Sequence, residues 1–313
     1  MPGSTIIGWG ASVPDRVVTN AELTAELDTT DSWIVERTGI SERRVGGTTT
    51  ELAVAAGRGA LARAGVDPAA VDVVLVATTT PDQPGVAVSP VVQDELGTAG
   101  AAFDLNAACS GFVYGLVTAH GLLLGGAQTV LLIGSETLSR ITDWKDRRTA
   151  PLFGDGAGAV VLRRVEGTGG VLGWDLGADG SLEHLLNCPH GGTLTMNGRE
   201  VFRHAVRMVL QSSQAALGRA GLGAADVDLF VPHQANIRII AAAAARLGIG
   251  EDRWALTIGR YGNTSAASIP LTIADAADGG RLAPGATVLL SGFGGGMTWA
   301  SVVLRWGGAP SSA

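Results

Sequence analysis

Cys109 is the residue best suited to nucleophilic chemistry, and it lies in the segment FDLNAACSGFVYGLV. The pattern predicts a strand that ends near Leu105 and a helix that begins after the cysteine. We therefore expect the thiol near a helix N-terminus, where the dipole and free N–H groups favour a thiolate and lower its pKa. Small neighbouring residues leave room for a thioester. The alternative is a buried cysteine with only a packing role.

Two further polar residues occur where a predicted strand gives way to a helix. His233 follows the apolar strand LFVP and opens the segment PHQANIRII. Ligand sites in α/β folds lie at such strand ends, whereas a core histidine is expected inside a periodic apolar run. Asn263 lies in RYGNTSAAS, where it is either a site residue or simply a helix cap or turn residue.

Glycine-rich segments supply candidate anion sites. One contains Gly292, Gly294, Gly295 and Gly296. It lacks a P-loop lysine and precedes a strand, so backbone N–H groups for an oxyanion are favoured over a phosphate cradle. The segment GDGAG at 154–158 also leads into a strand, which argues against a nicotinamide cofactor.

An internal repeat organises the elements that must position these residues. The segment ALARAGVDPAAVD at 60–72 reappears as ALGRAGLGAADVD at 216–228, and an apolar strand follows each copy. This order predicts an α/β architecture of two related halves, residues 1–166 and 167–313, with a glycine-rich connector near 164–172. A chance match in a chain rich in alanine and glycine is the alternative.

Composition excludes several classes of protein. The 313 residues are 46% hydrophobic, which is enough for a sizeable core, and the net charge of −7 disfavours nucleic acid as a partner. The only cysteines, Cys109 and Cys188, show no CxxC spacing, so neither a disulfide framework nor a structural zinc site is expected. A reducing cytoplasm fits best, because the N-terminus also lacks the pattern of a signal peptide.

Residues 105–135 carry no Asp, Glu, Lys or Arg, which raises the question of a membrane span. Asn106, His120, Gln128 and repeated glycines interrupt this stretch. We therefore predict a buried helix that leads into a buried strand, and no membrane insertion.

Six segments, taken together and in this order, resemble the β-ketoacyl-acyl-carrier-protein synthase III family of the thiolase superfamily over essentially the whole chain. They are DTTDSWIVERTGISERR (28–44), NAACSGF (106–112), FGDGAGAVVL (153–162), VPHQANIRII (231–240), GNTSAAS (262–268) and FGGGMTW (293–299).

The resemblance implies a five-layer αβαβα thiolase-like fold, a homodimer and a catalytic triad of Cys109, His233 and Asn263. Cys109 is expected to accept an acyl group from acyl-CoA, with the N–H groups of Cys109 and Gly295 holding the oxyanion. His233 and Asn263 are then expected to stabilise the enolate formed as malonyl-acyl carrier protein loses CO2. No metal or redox cofactor is implied.

Further positions match substrate contacts of the family. Thr29, Trp33, Arg37, Arg147 and Asn236 match the residues that bind CoA. If the resemblance is set aside, these residues are ordinary surface arginines, surface polar residues and a surface aromatic.

The carrier protein is acidic, and the basic patch expected to receive it matches Arg203 and Arg238. Docking should therefore weaken as salt is added.

Two departures from the family pattern concern the acyl pocket. Gly85 aligns with a phenylalanine that, in relatives restricted to short starters, crosses the dimer interface to close the pocket. We therefore expect a wider channel, unless a neighbour such as Val86 refills it. The loop around NCPHGGTLTMNG (187–198) is also shorter than is usual, which affects the shape of the pocket.

Several rival functions stay open on the sequence alone. The same triad permits a specialised acyltransferase that uses an oxygen or nitrogen acceptor, or a starter synthase for polyketides. A Cys-His-Asn hydrolase fits the paired halves less well. A non-catalytic subunit that binds the carrier protein is the rival from another class, and the presence of all three triad residues argues against it. The sequence leaves the starter, the pathway and the carrier undetermined.

Overall fold

The computed structural model describes residues 2–167 and 169–307. The strands are β1 (Pro2–Ser12), β2 (Val17–Thr19), β3 (Glu42–Arg44), β4 (Val73–Ala77), β5 (Ala101–Leu105), β6 (Thr129–Thr137), β7 (Asp155–Glu166), β8 (Val171–Ala178), β9 (Leu186–Asn187), β10 (Thr195–Met196), β11 (Leu229–Pro232), β12 (Thr287–Gly294) and β13 (Thr298–Arg305). The α-helices are α1 (Asn20–Thr24), α2 (Asp31–Thr38), α3 (Thr49–Ala64), α4 (Ser89–Leu96), α5 (Gly111–Leu124), α6 (Gly198–Ala220), α7 (Ile237–Leu247), α8 (Ile258–Tyr261) and α9 (Ser268–Asp278).

Two mixed sheets form the frame of the molecule. The first has the strand order β1-β7-β6-β4-β5, and the second has the order β11-β12-β13-β8. In the first sheet β4 runs parallel to β5 and β6, while β7 is antiparallel to β6 and β1. In the second sheet β11 and β12 are parallel, and β13 is antiparallel to both of its neighbours.

Helices separate and cover these sheets in five layers. Helix α3 packs on the outer face of the first sheet, and α6 packs on the outer face of the second. Helices α5 and α9 lie between the two sheets and contact both. The central core therefore joins side chains from both sheets, including Phe112 and Leu116 of α5 and Ile273 of α9, all of which are buried. The predicted αβαβα layering is present.

The repeated sequence segments occupy equivalent places in the two sheets. Helices α3 and α6 both end at a glycine with a left-handed backbone, φ being +60° at Gly65 and +68° at Gly221. A short 3-10 turn follows each glycine and leads into a strand, β4 in the first sheet or β11 in the second. All strands of the first sheet come from the chain up to the end of β7, and all strands of the second come from β8 onward. The predicted boundary at residue 166 lies between β7 and β8.

The uncharged stretch at 105–135 forms a helix and a strand inside the protein. Helix α5 lies between the sheets, and every residue of β6 is buried. The prediction of a buried helix followed by a buried strand is therefore confirmed. Within residues 2–167 and 169–307, no helix combines the length and the apolar character needed to cross a bilayer.

Candidate active site

A cavity of about 1140 Å³ brings the three predicted triad residues together. Cys109 comes from the first half of the chain, and His233 and Asn263 come from the second. Phe293, near the end of β12, and Gly295, directly after β12, also line it. The cavity therefore lies where the loops of the two sheets meet, so both halves are needed to build it.

Cys109 lies in a single 3-10 turn, Ala108–Ser110, that leads directly into α5. Ala108 has φ of +48°, an uncommon conformation for a residue with a side chain. Gly294 approaches this turn so closely that a Cβ there would lie 2.5 Å from the backbone N of Cys109. Only glycine therefore fits at position 294. This close approach holds the glycine-rich segment against Cys109, which is the arrangement that an oxyanion site requires.

The thiol of Cys109 has a different resting state from the one the sequence predicted. Burial raises the pKa of Cys109 to about 12, and the nearby Glu136 carboxylate raises it further. A hydrogen bond with the Ser265 side chain and the local backbone N–H act in the opposite direction but are weaker. The helix-end argument alone was thus wrong about the pKa, because it left out desolvation. The free protein holds Cys109 as a thiol, and attack requires that its proton be removed.

His233 is fully enclosed and neutral. Its backbone N–H donates to the Ser291 carbonyl at 2.8 Å, so the end of β11 is tied to β12. The ring of Phe293 meets the imidazole edge-on, with centroids 5.5 Å apart. Burial lowers the pKa of His233 to about 3, so the imidazole carries no charge at neutral pH. A neutral ring in this position is suited to donating a hydrogen bond.

Asn263 presents its amide in a fixed orientation. Its backbone N–H donates to the Leu152 carbonyl at 2.8 Å, and its carbonyl accepts the Gly154 N–H at 3.1 Å. The side-chain oxygen Oδ1 accepts the N–H of Ser265 at 2.9 Å. Because Oδ1 is engaged, the NH2 group is the part of the side chain left to interact with a ligand. Asn263 therefore makes a turn contact, as the alternative interpretation expected, and also lines the cavity.

Two arginines lie over the ring of Trp33, which lines the cavity. The guanidinium carbon of Arg37 lies 5.9 Å from the centre of the indole ring, and that of Arg147 lies 5.2 Å from it. The indole is about a third exposed, at 36%. An exposed aromatic face flanked by two cations suits a purine ring that carries phosphates.

The other two residues matched to CoA binding have structural contacts. Asn236 caps α7 by accepting the N–H of Arg238 at 2.9 Å, and its NH2 donates to the Arg37 carbonyl at 2.9 Å. This side chain thus ties α7 to the end of α2 while it also lines the cavity. Thr29 directly follows Asp28, whose carboxylate lies 3.6 Å from the guanidinium of Arg147. Thr29 itself does not line the cavity.

Basic side chains gather where α6 and α7 begin. Arg238 lies over the ring of Phe202, with 5.7 Å between the guanidinium carbon and the ring centre. Arg203 is exposed and pairs with Glu200 at 2.6 Å. The sequence reasoning overlooked Arg199 and Arg148, which also line the cavity. Arg199 is the second residue of α6, and Arg148 directly follows Arg147. Their closeness in sequence to the matched residues Arg203 and Arg147 was the signal that could have identified them.

The loop at 187–198 forms one wall of the cavity. Strands β9 and β10 pair as a short hairpin, with Thr195 opposite Asn187. Cys188 directly follows β9, and its side chain is exposed and forms no disulfide. Cys188 and Leu186 both line the cavity. The short loop therefore covers part of the opening rather than leaving it unbounded.

Gly85 and Val86 are exposed and do not line the cavity of their own chain, whereas Asp82 and Pro84 do. Gly85 has φ of +78°, a conformation that favours glycine, and no described residue lies within 4 Å of where a Cβ would be. The sequence hypothesis places this residue across a dimer interface, and an exposed loop tip is compatible with that position.

Comparison with known proteins identifies the family. Two sequence models match the chain, "3-Oxoacyl-[acyl-carrier-protein (ACP)] synthase III" at residues 103–180 and its C-terminal counterpart at 217–306. A β-ketoacyl-[acyl-carrier-protein] synthase III from Roseiflexus castenholzii is 49% identical, covering 97% of this chain and 98% of its own. This chain belongs to the β-ketoacyl-[acyl-carrier-protein] synthase III family. The resemblance seen in the sequence is confirmed.

Solved structures agree with this assignment. The synthase III of Aquifex aeolicus superposes with a TM-score of 0.95 at 43% identity, over 97% of this chain and 100% of its own. The priming β-ketosynthase of the R1128 polyketide pathway superposes with a TM-score of 0.94 at 37% identity, over 98% and 97%. The thiolase-like fold class is therefore confirmed. A synthase III and a polyketide priming ketosynthase share it.

Proposed function

We propose that this protein is a β-ketoacyl-[acyl-carrier-protein] synthase III, which condenses an acyl-CoA starter with malonyl-acyl carrier protein. The observation that carries the proposal is the single cavity in which a thiol, a neutral imidazole and an oriented amide converge. A nucleophile beside two neutral hydrogen-bond donors suits acyl transfer followed by enolate formation.

In the first half-reaction Cys109 attacks the thioester carbon of acyl-CoA. The backbone N–H groups of Cys109 and Gly295 hold the developing oxyanion, and the CoA thiolate leaves. The close approach of Gly294 to Cys109 supports this arrangement, because it brings the glycine-rich segment within reach of the reacting carbonyl.

In the second half-reaction malonyl-acyl carrier protein enters the emptied cavity. The imidazole of His233 and the amide of Asn263 donate to its thioester oxygen and stabilise the enolate formed as CO2 departs. The carbanion then attacks acyl-Cys109 and gives a β-ketoacyl-carrier protein. A neutral His233 supports this role, because the neutral imidazole still carries one N–H that can donate to the thioester oxygen. Neither step requires a metal or redox cofactor.

Substrate binding follows the outer parts of the cavity. We assign the CoA nucleotide to Trp33 between Arg37 and Arg147, with Thr29 and Asn236 at the edge of this site. The acidic carrier protein docks near Arg203 and Arg238, from which its phosphopantetheine arm reaches Cys109. The two partners thus use neighbouring surfaces around one opening.

Product analysis tests the proposed reaction. Acyl-CoA and malonyl-carrier protein are incubated with the protein, and released CO2 and carrier-bound products are followed by mass spectrometry. We expect one CO2 for each β-ketoacyl-carrier formed. An ester or amide product without CO2 would instead indicate a specialised acyltransferase. A protein that binds the carrier but forms no product would be a non-catalytic subunit.

The starter is proposed to be longer or bulkier than acetyl. Gly85 has no side chain, and we propose that this residue faces the acyl channel of a partner subunit, where it leaves room for several methylenes. Each buried methylene contributes about 0.8 kcal/mol. The similarity to a polyketide priming ketosynthase makes a specialised starter the second candidate.

A homodimer is proposed to form along the free edge of the first sheet. Strand β5 is the last strand in that sheet, and Phe103, in its centre, is 38% exposed. Val91 and Val86 are also exposed, and they are near in sequence to the loop proposed to cross the interface. Pairing of this edge with a second copy would cover these apolar groups. Light scattering coupled to size exclusion tests it, and a Phe103→Lys variant should shift the protein towards monomer.

The cellular location is proposed to be cytoplasmic. Both cysteines are free, which suits a reducing compartment, and both proposed substrates are thioesters handled there. Fractionation of the source cells would test this location directly.

A further inference from the structure

Ser110 and Thr298 are two hydroxyl side chains close to the nucleophile for which the proposed reaction has so far no use. Ser110 directly follows Cys109, and Thr298 is the first residue of β13, in the second half of the chain. Their oxygens, Oγ and Oγ1, lie 2.8 Å apart. Neither belongs to the described residues that line the cavity, so an effect on the reaction must pass through the backbone that they hold.

Both hydroxyls converge on the carbonyl oxygen of Ala107, two residues before the nucleophile. That oxygen lies 2.7 Å from Oγ of Ser110 and 2.8 Å from Oγ1 of Thr298. It also accepts the N–H of Ser110 at 3.2 Å. Each hydroxyl has one proton to donate. Thr298 donates to the carbonyl, and Ser110 donates either to the same carbonyl or to Oγ1 of Thr298.

The peptide unit between Ala107 and Ala108 is thereby held at both ends. Its carbonyl meets the two hydroxyls, and its N–H donates to Oδ1 of Asn106 at 3.1 Å. Ala108 has φ of +48°, a conformation that a residue with a side chain keeps only where its surroundings enforce it. The direction of the Cys109 N–H follows from the conformation of Ala108. The contacts of Thr298 thus help to set that direction.

Thr298 also reaches the segment that carries the second proposed oxyanion donor. Its Oγ1 lies 3.4 Å from the carbonyl oxygen of Gly295, and the adjacent Gly294 packs against the backbone N of Cys109. One side chain therefore contacts both segments whose N–H groups are proposed to hold the oxyanion. Such donors act at about 2.7–3.1 Å from the charge, so their spacing must be held within a few tenths of an ångström.

We propose that Thr298 is a positioning residue that sets the geometry of the oxyanion site by holding the Cys109 turn against the glycine-rich segment. The inference rests on the proposed function, because it concerns the tetrahedral intermediates of acyl loading and of condensation. Enolate formation uses His233 and Asn263 instead, and Thr298 makes no hydrogen bond to either within residues 2–167 and 169–307.

Thr298→Val and Thr298→Ser test the hydroxyl itself. Valine keeps the branched shape of threonine without the hydroxyl, whereas serine keeps the hydroxyl. We expect Thr298→Val to slow both acyl loading and condensation by about 10- to 100-fold, the size expected when oxyanion donors are misplaced. The KM for acyl-CoA should change little, because the lost interaction belongs to the transition state. Thr298→Ser should restore most of the rate.

The ratio of CO2 to condensed product gives a readout that a general loss of stability would not move. In Thr298→Val the enolate should form normally but attack acyl-Cys109 slowly, so part of it takes up a proton and leaves as acetyl-carrier protein. The variant should then release more than one CO2 for each β-ketoacyl-carrier protein. A slow variant that still gives one CO2 for each product would overturn the positioning role.

Thr118→Val is the matched control. The Thr118 hydroxyl donates to the Tyr114 carbonyl at 2.9 Å on α5, so this change also removes a hydroxyl bonded to a backbone carbonyl, away from the Cys109 turn. It should leave the rates of loading and condensation near those of wild type.

A second variant keeps the test open if valine is not tolerated at position 298. Ser110→Ala removes the other hydroxyl from the same carbonyl, so it should slow loading and raise the CO2 ratio in the same direction. Wild-type loading by Thr298→Val, or an equal loss in Thr118→Val, would overturn the inference. If the wild type itself neither loads nor condenses, the proposed function fails instead.

Discussion

The Oγ atom of Ser268 lies 2.7 Å from Nδ1 of His233, and both side chains are buried. The same oxygen accepts the backbone N–H of Gln234 at 3.3 Å. We assign the serine proton to the bond with Nδ1, which places the proton of the neutral ring on Nε2. Ser268 thus selects the tautomer of His233 that can donate to a substrate in the cavity.

Replacing Ser268 with alanine should impair enolate formation but not acyl loading. Loss of the bond to Nδ1 lets the ring adopt the wrong tautomer, and a lost buried hydrogen bond costs about 1–2 kcal/mol, or roughly 5- to 30-fold in rate. Decarboxylation of malonyl-carrier protein by the acyl-enzyme measures the effect. Nitrogen-15 chemical shifts of His233 report the tautomer directly. Equal rates for wild type and Ser268→Ala would contradict the assignment.

Neutral burial of His233 makes stability depend on pH in a defined direction. Its pKa falls from 6.5 in the unfolded chain to about 3 in the folded protein. Between these values the unfolded state binds a proton and the folded state does not, so stability decreases as pH falls below 6.5. Between pH 6.5 and pH 5, protonation of His233 in the unfolded chain should lower the free energy of unfolding by about 2 kcal/mol. Urea unfolding should show a smaller loss over this range for His233→Gln than for wild type.

Trp33→Ala should weaken acyl-CoA binding selectively. Two guanidinium groups lie within 6 Å of the ring centre, and loss of a partly desolvated cation–π stack costs about 1–2 kcal/mol, or roughly 5- to 30-fold in KM for acyl-CoA. The KM for malonyl-carrier protein should not change. Trp174→Ala is a matched control, because Trp174 is also exposed and has Arg219 5.8 Å from its ring. An equal rise in KM for acyl-CoA in the Trp174→Ala control would show that Trp33 has no special role in CoA binding.

Charge reversal at Arg238 should weaken carrier docking. Arg238→Glu places a negative charge where an acidic partner approaches, so KM for malonyl-carrier protein should rise by about tenfold at low salt. The difference from wild type should shrink as ionic strength increases. Arg246→Glu is the matched control, since this exposed arginine lies in the last turn of the same helix. Similar losses in both variants would place docking elsewhere.

Starter preference tests the significance of Gly85. In competition between acetyl-CoA and octanoyl-CoA, we expect the longer chain to label Cys109 preferentially. A Gly85→Phe variant should reverse this preference, although it must also alter the loop, because φ at Gly85 is +78°. Clear preference of the wild type for acetyl-CoA would contradict the wide channel.

Local patterns were sufficient to predict the layers of the fold. The repeat at 60–72 and 216–228 predicted two helices that end at glycine and lead into apolar strands, because those signals reside in adjacent residues. Order of motifs likewise located Cys109, His233 and Asn263. Each stands at the end of a strand or beside a helix start, where the chain itself shows the position.

The chemistry within the site could not be predicted in the same way, because it depends on residues distant in sequence. The pKa of Cys109 is governed by burial and by Glu136, and the sequence argument considered only the adjacent helix. The tautomer of His233 depends on Ser268, 35 residues away. Arg199 joins the cavity only because α6 begins beside α7.

Intact mass spectrometry of wild type and Cys109→Ala, after incubation with acyl-CoAs of different lengths, tests the central claim most directly. We expect the wild type to gain the mass of one acyl group and the variant to gain none. Equal labelling of both proteins would show that Cys109 is not the acceptor. No labelling of the wild type by any acyl-CoA would contradict the proposed starter reaction itself.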